Sequence, residues 1–136
     1  MTELSLDVGK LTLEQINLML KHLPVDLTFV DDTDSVRYFS QGKERIFPRS
    51  PGIIGKKVQN CHPSKSLDKV NKIVEAFKAG TKDVAGFWIK LGEKFVYIRY
   101  FALRDSQGTY KGTLEVSQEI SEIQKIEGER RLLDWD

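Results

Sequence analysis

Sulfur chemistry is nearly missing from this chain. Its one cysteine, Cys61, rules out an internal disulfide and a cysteine-based zinc site. An excess of one charge is missing too: 21 basic residues face 20 acidic ones, a formal net charge of +1. Dedicated nucleic-acid binders concentrate Lys and Arg, so that class is not expected. No run approaches the roughly 20 apolar residues that a membrane helix requires. The opening MTELSLDVGK carries acids where a secretory signal has bases, and it lacks an apolar stretch. A cytoplasmic protein, with no membrane or nucleic-acid partner, is the expectation.

Catalytic signatures are also lacking. Asp31, Asp32 and Asp34 read as turn formers rather than paired catalytic carboxylates. Ser and His fall in no nucleophile-elbow setting, and Gly-x-x-x-x-Gly-Lys-Ser does not occur. No catalytic residue and no metal ligand set is assigned, and an enzyme is not expected.

What is present is a 40% hydrophobic share within 136 residues, enough for one core. Three parts are expected: an N-terminal strand and helix over 1–23, a domain over 24–120, and a C-terminal helix over 121–136. Leu4, Leu6 and Val8 alternate with polar residues and suggest a short strand. Thr12 and Gln15 fit a capping box, followed by Leu13, Ile16, Leu20 and Leu23 at helical spacing until Pro24. Two short runs joined at Asp32-Thr33-Asp34 read as a β-hairpin. The stretch after it holds Pro48, Pro51, Gly52 and Gly55, too broken for a long helix. Its Ile46, Phe47, Ile53, Ile54 and Val58 nonetheless need burial, which suggests a wall folded over a cavity.

Pro63 suits the first position of a helix over 63–79, whose Leu67, Val70, Ile73, Val74 and Phe77 make one apolar stripe ended by Gly80. Three strands follow, over 82–91, 94–104 and 109–120, with turns too short for anything but antiparallel pairing. On the middle strand both faces are apolar. Val96, Ile98, Tyr100 and Ala102 make one, and Phe95, Tyr97, Phe101 and Leu103 the other, broken only by Arg99. Something must therefore cover each side. The tail's Ile123, Ile126, Arg130 and Leu133 are in helical register and predict a helix of about four turns, weakened at Gly128.

This order of elements resembles the PAS domain, an α+β fold with a five-stranded antiparallel sheet cupping a small-molecule pocket under helices on one face. Leu27-Thr28-Phe29-Val30-Asp31, Asp34 and Val36-Arg37-Tyr38-Phe39-Ser40 are similar to the family's opening hairpin. Ile54-Gly55-Lys56-Lys57-Val58 looks like its hydrophobic-Gly-x-x-hydrophobic turn, and Cys61-His62-Pro63 like the His-Pro before its long helix. The resemblance covers about residues 24–121. The run VRYFSQGKERIFPRSPGIIGKKVQNCHPSKS and the ending GERRLLDWD resemble the C-terminal PAS domain of bacterial proteins that elsewhere carry a hemerythrin-like domain. That implies an N-terminal hemerythrin-like partner domain in a longer protein. Here no H-x-x-x-E or H-x-x-x-H run occurs.

The resemblance implies a sensory or interaction module that binds a small ligand of unknown identity; a homodimer is a separate expectation, from the aromatic face of the sheet and the first helix. With Val96, Ile98 and Tyr100 facing inward beside Leu114, Val116 and Gln118, the expected pocket set is Phe39, Ile54, Val58, Val74, Ile98, Tyr100, Leu114, Val116 and Gln118. Tyr100 and Gln118 would orient the ligand. The plainer alternative is a core packed solid.

A haem ligated by His62 is the sharper cofactor alternative, against a ring that simply caps the helix start; Cys61 then reads as a small buried hydrophobe. A flavin adduct at Cys61 is disfavoured, because Asn60-Cys61-His62-Pro63 leaves the light-sensing Asn-Cys-Arg-Phe-Leu pattern after two residues. Arg37, Lys43, Arg45 and Arg49 read as a solvated basic face, with attraction of an anion as the alternative. Exposed aromatics mark association sites. The expected dimer surface is Leu13, Ile16 and Leu20 on the first helix, with Phe95, Tyr97, Phe101 and Leu103 on the sheet.

Overall fold

The computed structural model describes residues 2–42, 45–62 and 64–135, apart from the side chains of Cys61, Ser64 and Lys65. The expectations for Lys43, the Cys61 thiol and Pro63 lie outside the described residues.

The chain opens with a two-stranded antiparallel hairpin, β1 (Glu3–Ser5) and β2 (Lys10–Thr12). Helix α1 (Leu13–His22) starts there because Thr12 and Gln15 close the expected capping box: the Gln15 N–H donates to Thr12 Oγ1 at 3.1 Å, and the Thr12 N–H to Gln15 Oε1 at 2.9 Å. None of the residues of α1 is buried.

The main sheet holds β3 (Asp26–Asp31), β4 (Val36–Phe39), β5 (Val84–Leu91), β6 (Lys94–Arg104) and β7 (Tyr110–Glu119), in the order β4-β3-β7-β6-β5 and antiparallel throughout. The fold is the α+β, PAS-like architecture that the sequence suggested. The β3–β4 turn forms as expected from its acids. Asp31 Oδ1 accepts from the Thr33 hydroxyl at 2.7 Å and from the N–H groups of Thr33 and Ser35 at 2.9 and 3.1 Å. These bonds, the Thr33 hydroxyl above all, hold the Asp31 carboxyl below the usual carboxylate range.

Helix α2 (Ser64–Ala79) and the 3₁₀ turns Pro51–Ile53 and Val58–Cys61 lie on one face of the sheet. Val70 and Val74 pack with Val30, Val36 and Val58. Phe77, fully buried, packs with Val96, Ile98 and Tyr100. Arg104 fastens the end of this helix, donating to the Phe77 carbonyl at 2.7 Å and to Asp83 Oδ1 at 2.8 Å.

The register of β7 departs from expectation. Arg104 faces Tyr110, and continuing that offset would set Leu114, Val116 and Gln118 beside Tyr100, Ile98 and Val96. A bulge between Leu103 and Arg104 shifts it by one residue, so Tyr100 faces Glu115 and Ile98 faces Ser117. One residue of slip exchanges the two faces of a strand. Leu114, Val116 and Gln118 therefore lie on the outer face, opposite Phe101, Arg99 and Tyr97, and are not pocket residues. Gly112 permits this, with φ at 150°; a Cβ there would come within 2.7 Å of the Phe29 ring.

The tail also differs. Residues 121–135 contain one 3₁₀ turn, Ile123–Lys125, in place of a four-turn helix. Ile126, Leu132, Leu133 and Trp135 are all exposed, and Gly128 takes a positive φ of 64°. Amphipathic helices draw most of their stability from tertiary packing, and among the described residues none buries these side chains.

Candidate ligand site and contact surface

The bulge gives the inside of the cup its chemistry. Asp26, Thr28, Thr113, Glu115 and Ser117 share the inner face of β3 and β7, and all five are buried. A buried carboxylate is costly unless it is paired and hydrogen-bonded, and Glu115 is both. The Tyr100 hydroxyl donates to its Oε2 at 3.3 Å, and Arg49 Nη2 stands 3.6 Å from its Oε1. Burial, seconded by the Glu115 charge, pushes the Tyr100 phenol far above its ordinary pKa. Tyr110 and Thr113 share a further hydrogen bond between their hydroxyls at 2.7 Å.

Arg45 pins the roof to the sheet. Its Nη1 donates to the carbonyls of Ser40 at 2.5 Å and Leu27 at 3.3 Å, and its Nε to the Phe47 carbonyl at 3.0 Å. Asp26 Oδ2 accepts from the Ile46 N–H at 2.6 Å, and the Arg45 guanidinium lies 5.4 Å from the Phe39 ring centre. Burial lowers the Arg45 pKa, and the Asp26 charge opposes that shift. Arg45 and Arg49 thus leave the solvated basic face expected of them and become half-buried clasps; Arg37 remains exposed.

Where the two apolar clusters meet lies an enclosed cavity of about 10 Å³, lined by Val30, Val58, Val70, Ile73, Val74, Tyr100, Thr113 and Glu115. That is about the space of one water. Of the expected pocket residues, Val58, Val74 and Tyr100 line it. Ile98 is buried in the adjoining cluster, and Phe39 lies on the same sheet face. Ile54 does not belong there: it is 46% exposed and borders a groove outside the cup. Sequence reading missed Thr113 and Glu115, although the alternation Thr113, Glu115, Ser117 carried the signal. An apolar-inward rule selects the opposite set.

His62 sits at the start of α2 with Nδ1 3.0 Å from the Val58 carbonyl oxygen, and it does not line the cavity. A haem or flavin does not fit the interior as it stands, since cofactor-sized pockets run to roughly 300 Å³ or more.

The outer face of the sheet carries Phe95, Tyr97, Phe101 and Leu103 as expected, with Trp88 65% and Val84 56% exposed beside them. In its middle, Arg99 lies between rings, 4.8 Å from the centre of Tyr97 and 5.8 Å from that of Phe101. On α1, Leu13 is 63% exposed while Ile16 and Leu20 are half-buried. No described helix is long and apolar enough to cross a membrane.

The model of the family described as PAS domain matches residues 16–121. Among solved structures, a C-terminal domain of a protein from Streptococcus mutans is 37% identical, with a TM-score of 0.87 over 93% of this chain and 98% of that one. A sensory box sensor histidine kinase from Vibrio cholerae is 11% identical, with a TM-score of 0.55 over 78% of this chain and 89% of that one. VqmA of Vibrio cholerae, solved as a complex with ligand and DNA, is 22% identical, with a TM-score of 0.58 over 82% of this chain and 52% of that one. The last two are similar in fold alone. No curated protein matches the chain.

Proposed function

The chain belongs to the PAS domain family, and on that premise we propose that it is a non-enzymatic sensory and interaction module of a larger cytoplasmic bacterial signalling protein. The observation that carries this reading is Glu115, a carboxylate held by Tyr100 and Arg49 where two apolar clusters meet. A small ligand enters by lifting the roof segment and displacing Arg49 from Glu115. The apolar body then lies against Val70 and Val74, and its polar atoms meet Glu115, Tyr100 and Thr113. Repacking of the roof against the sheet changes the contacts of the outer face and α1, through which a homodimer or a neighbouring domain reads the state. Support comes from the fold neighbours' own descriptions, a sensor histidine kinase and a protein crystallised with ligand and DNA.

Native mass spectrometry with an absorbance spectrum tests this. The expected result is a small molecule that the wild type retains and Glu115→Gln loses. A protein that is ligand-free in both forms, and not stabilised by any compound of a metabolite panel, overturns the ligand role. One observation favours that second reading, a ligand-free interaction domain: the interior has only about 10 Å³ free. A Soret band abolished by His62→Ala would instead revive the haem reading.

The N-terminal hemerythrin-like domain belongs to the same proposal. Its support is the resemblance over residues 36–66, together with the description of the Streptococcus mutans relative as a C-terminal domain. Iron analysis of the full-length protein tests it, and an iron-free protein overturns it.

A further inference from the structure

Outside the cup, α1 and the chain after β4 leave a groove. One part, about 410 Å³, is bordered by Lys21, Arg37, Tyr38, Gln41, Pro51 and Ile54 among others. A second part, about 530 Å³, is bordered by Lys21, Gln41, Arg45, Pro48 and Arg49. Lys21 and Gln41 border both, so the two parts run together. No Asp or Glu is among the described residues that line these two parts, whereas Asp26 and Glu119 border the adjoining part that shares Lys21, Gly42 and Arg45 with them.

The four cations are not equivalent. Arg45 is answered from behind by Asp26, and Arg49 by Glu115. Lys21 and Arg37 take part in none of the ion pairs among the described residues. Two exposed cations on separate elements, Lys21 and an Arg37 that feels the Asp31 charge without a close ion pair, thus face one trough with a partly apolar floor. That combination suits an anion with an apolar body and repels cations; a neutral molecule gains only the floor.

We propose that this groove is a binding site for a small organic carboxylate on an aliphatic or aromatic body, distinct from the cup. The carboxylate sits between Lys21 and Arg37, and the body lies along Tyr38, Pro51 and Ile54. Lys21 belongs to α1, which buries none of its own residues, whereas Arg37 belongs to the sheet. Occupancy therefore ties α1 to the domain, and the groove becomes a control point for the position of that helix.

Octanoate is the probe, with octanol as its uncharged counterpart, followed by titration calorimetry and amide hydrogen exchange. Octanoate is expected to bind one to one and to slow exchange across α1. Octanol, and octanoate with Lys21→Ala or Arg37→Ala, are expected to bind about tenfold more weakly or less, as the loss of one charge-assisted contact implies. Both substituted residues are exposed, so the variants fold. Thr113→Val alters the cup alone and should leave octanoate binding unchanged. The groove proposal fails if octanoate does not saturate, if octanol binds as tightly, or if binding survives both alanine variants. Weakening by Thr113→Val would move the ligand into the cup, which also overturns this proposal while supporting the cup reading. Unchanged exchange across α1 at saturation overturns the coupling.

Discussion

Tyr100 and Glu115 stand directly opposite each other on β6 and β7, and the phenol donates to the carboxylate at 3.3 Å inside the core. Arg49 reaches the same carboxylate from the roof at 3.6 Å. Glu115 is the shared partner of the other two, so removing it strands both. Glu115→Ala leaves Arg49 without its counter-charge and is expected to destabilise by about 2–4 kcal/mol. Glu115→Gln keeps an acceptor for Tyr100 and should cost only about 1 kcal/mol. Arg49→Met combined with Glu115→Leu replaces the pair by apolar volume and should recover most of the loss. Urea unfolding midpoints of the four proteins check the order.

The same phenol predicts the alkaline limit of stability. Burial raises the pKa of Tyr100, and to lesser degrees those of Tyr38 and Tyr110, above the ordinary value of 10.0. The unfolded chain then releases these protons first, so it binds fewer protons than the native state. The contribution is complete below about pH 10 and is lost as the pH rises beyond it, at up to about 1.4 kcal/mol per pH unit for Tyr100 and less for the more exposed Tyr38 and Tyr110. Unfolding free energy measured between pH 8 and pH 11 should stay level and then fall. Tyr100→Phe should flatten the fall, and an unaltered slope would dissociate it from Tyr100.

Gly112 and Gly86 are both strand glycines, and they should behave differently. A methyl at Gly112 meets the Phe29 ring at 2.7 Å on a backbone with φ 150°, whereas at Gly86 the nearest atoms lie at 3.6 Å. Gly112→Ala is expected to destabilise by about 3 kcal/mol and Gly86→Ala by less than about 1. Thermal or urea melts of the two variants decide it.

The contrast shows where the sequence was legible. Turn chemistry at Asp31–Ser35, the capping box of Thr12 and Gln15, and the alternation along β6 are local patterns, and each forms as read. The inner face of β7 is not a local pattern. It depends on a single extra residue beside Arg104, and without that bulge Leu114 and Val116 would be the inward pair. Glu115 was hidden for the same reason, since a carboxylate alternating with Leu114 and Val116 looks like the wet side of a strand. The tail failed differently: Ile126 and Leu133 stand in helical register in the sequence, but no helix forms over them and both are exposed.

The first helix and the outer sheet face are further exposed surfaces of that kind. α1 buries none of its residues, and β1 with β2 is an isolated pair of three-residue strands, an arrangement marginal by itself in water. The outer sheet face exposes Trp88 and Val84 around the ring-flanked Arg99. If two copies meet through these surfaces, a charge on either weakens association without touching the core. Trp88→Lys and Leu13→Lys, at positions 65% and 63% exposed, should keep the wild-type urea midpoint. Each should weaken dimerisation by about tenfold or more, as central apolar contacts do in other interfaces. Sedimentation velocity over a concentration series measures this directly. Wild-type dimerisation in both variants would move the interface elsewhere, and a monomeric wild type would leave α1 and the outer face to a neighbouring domain.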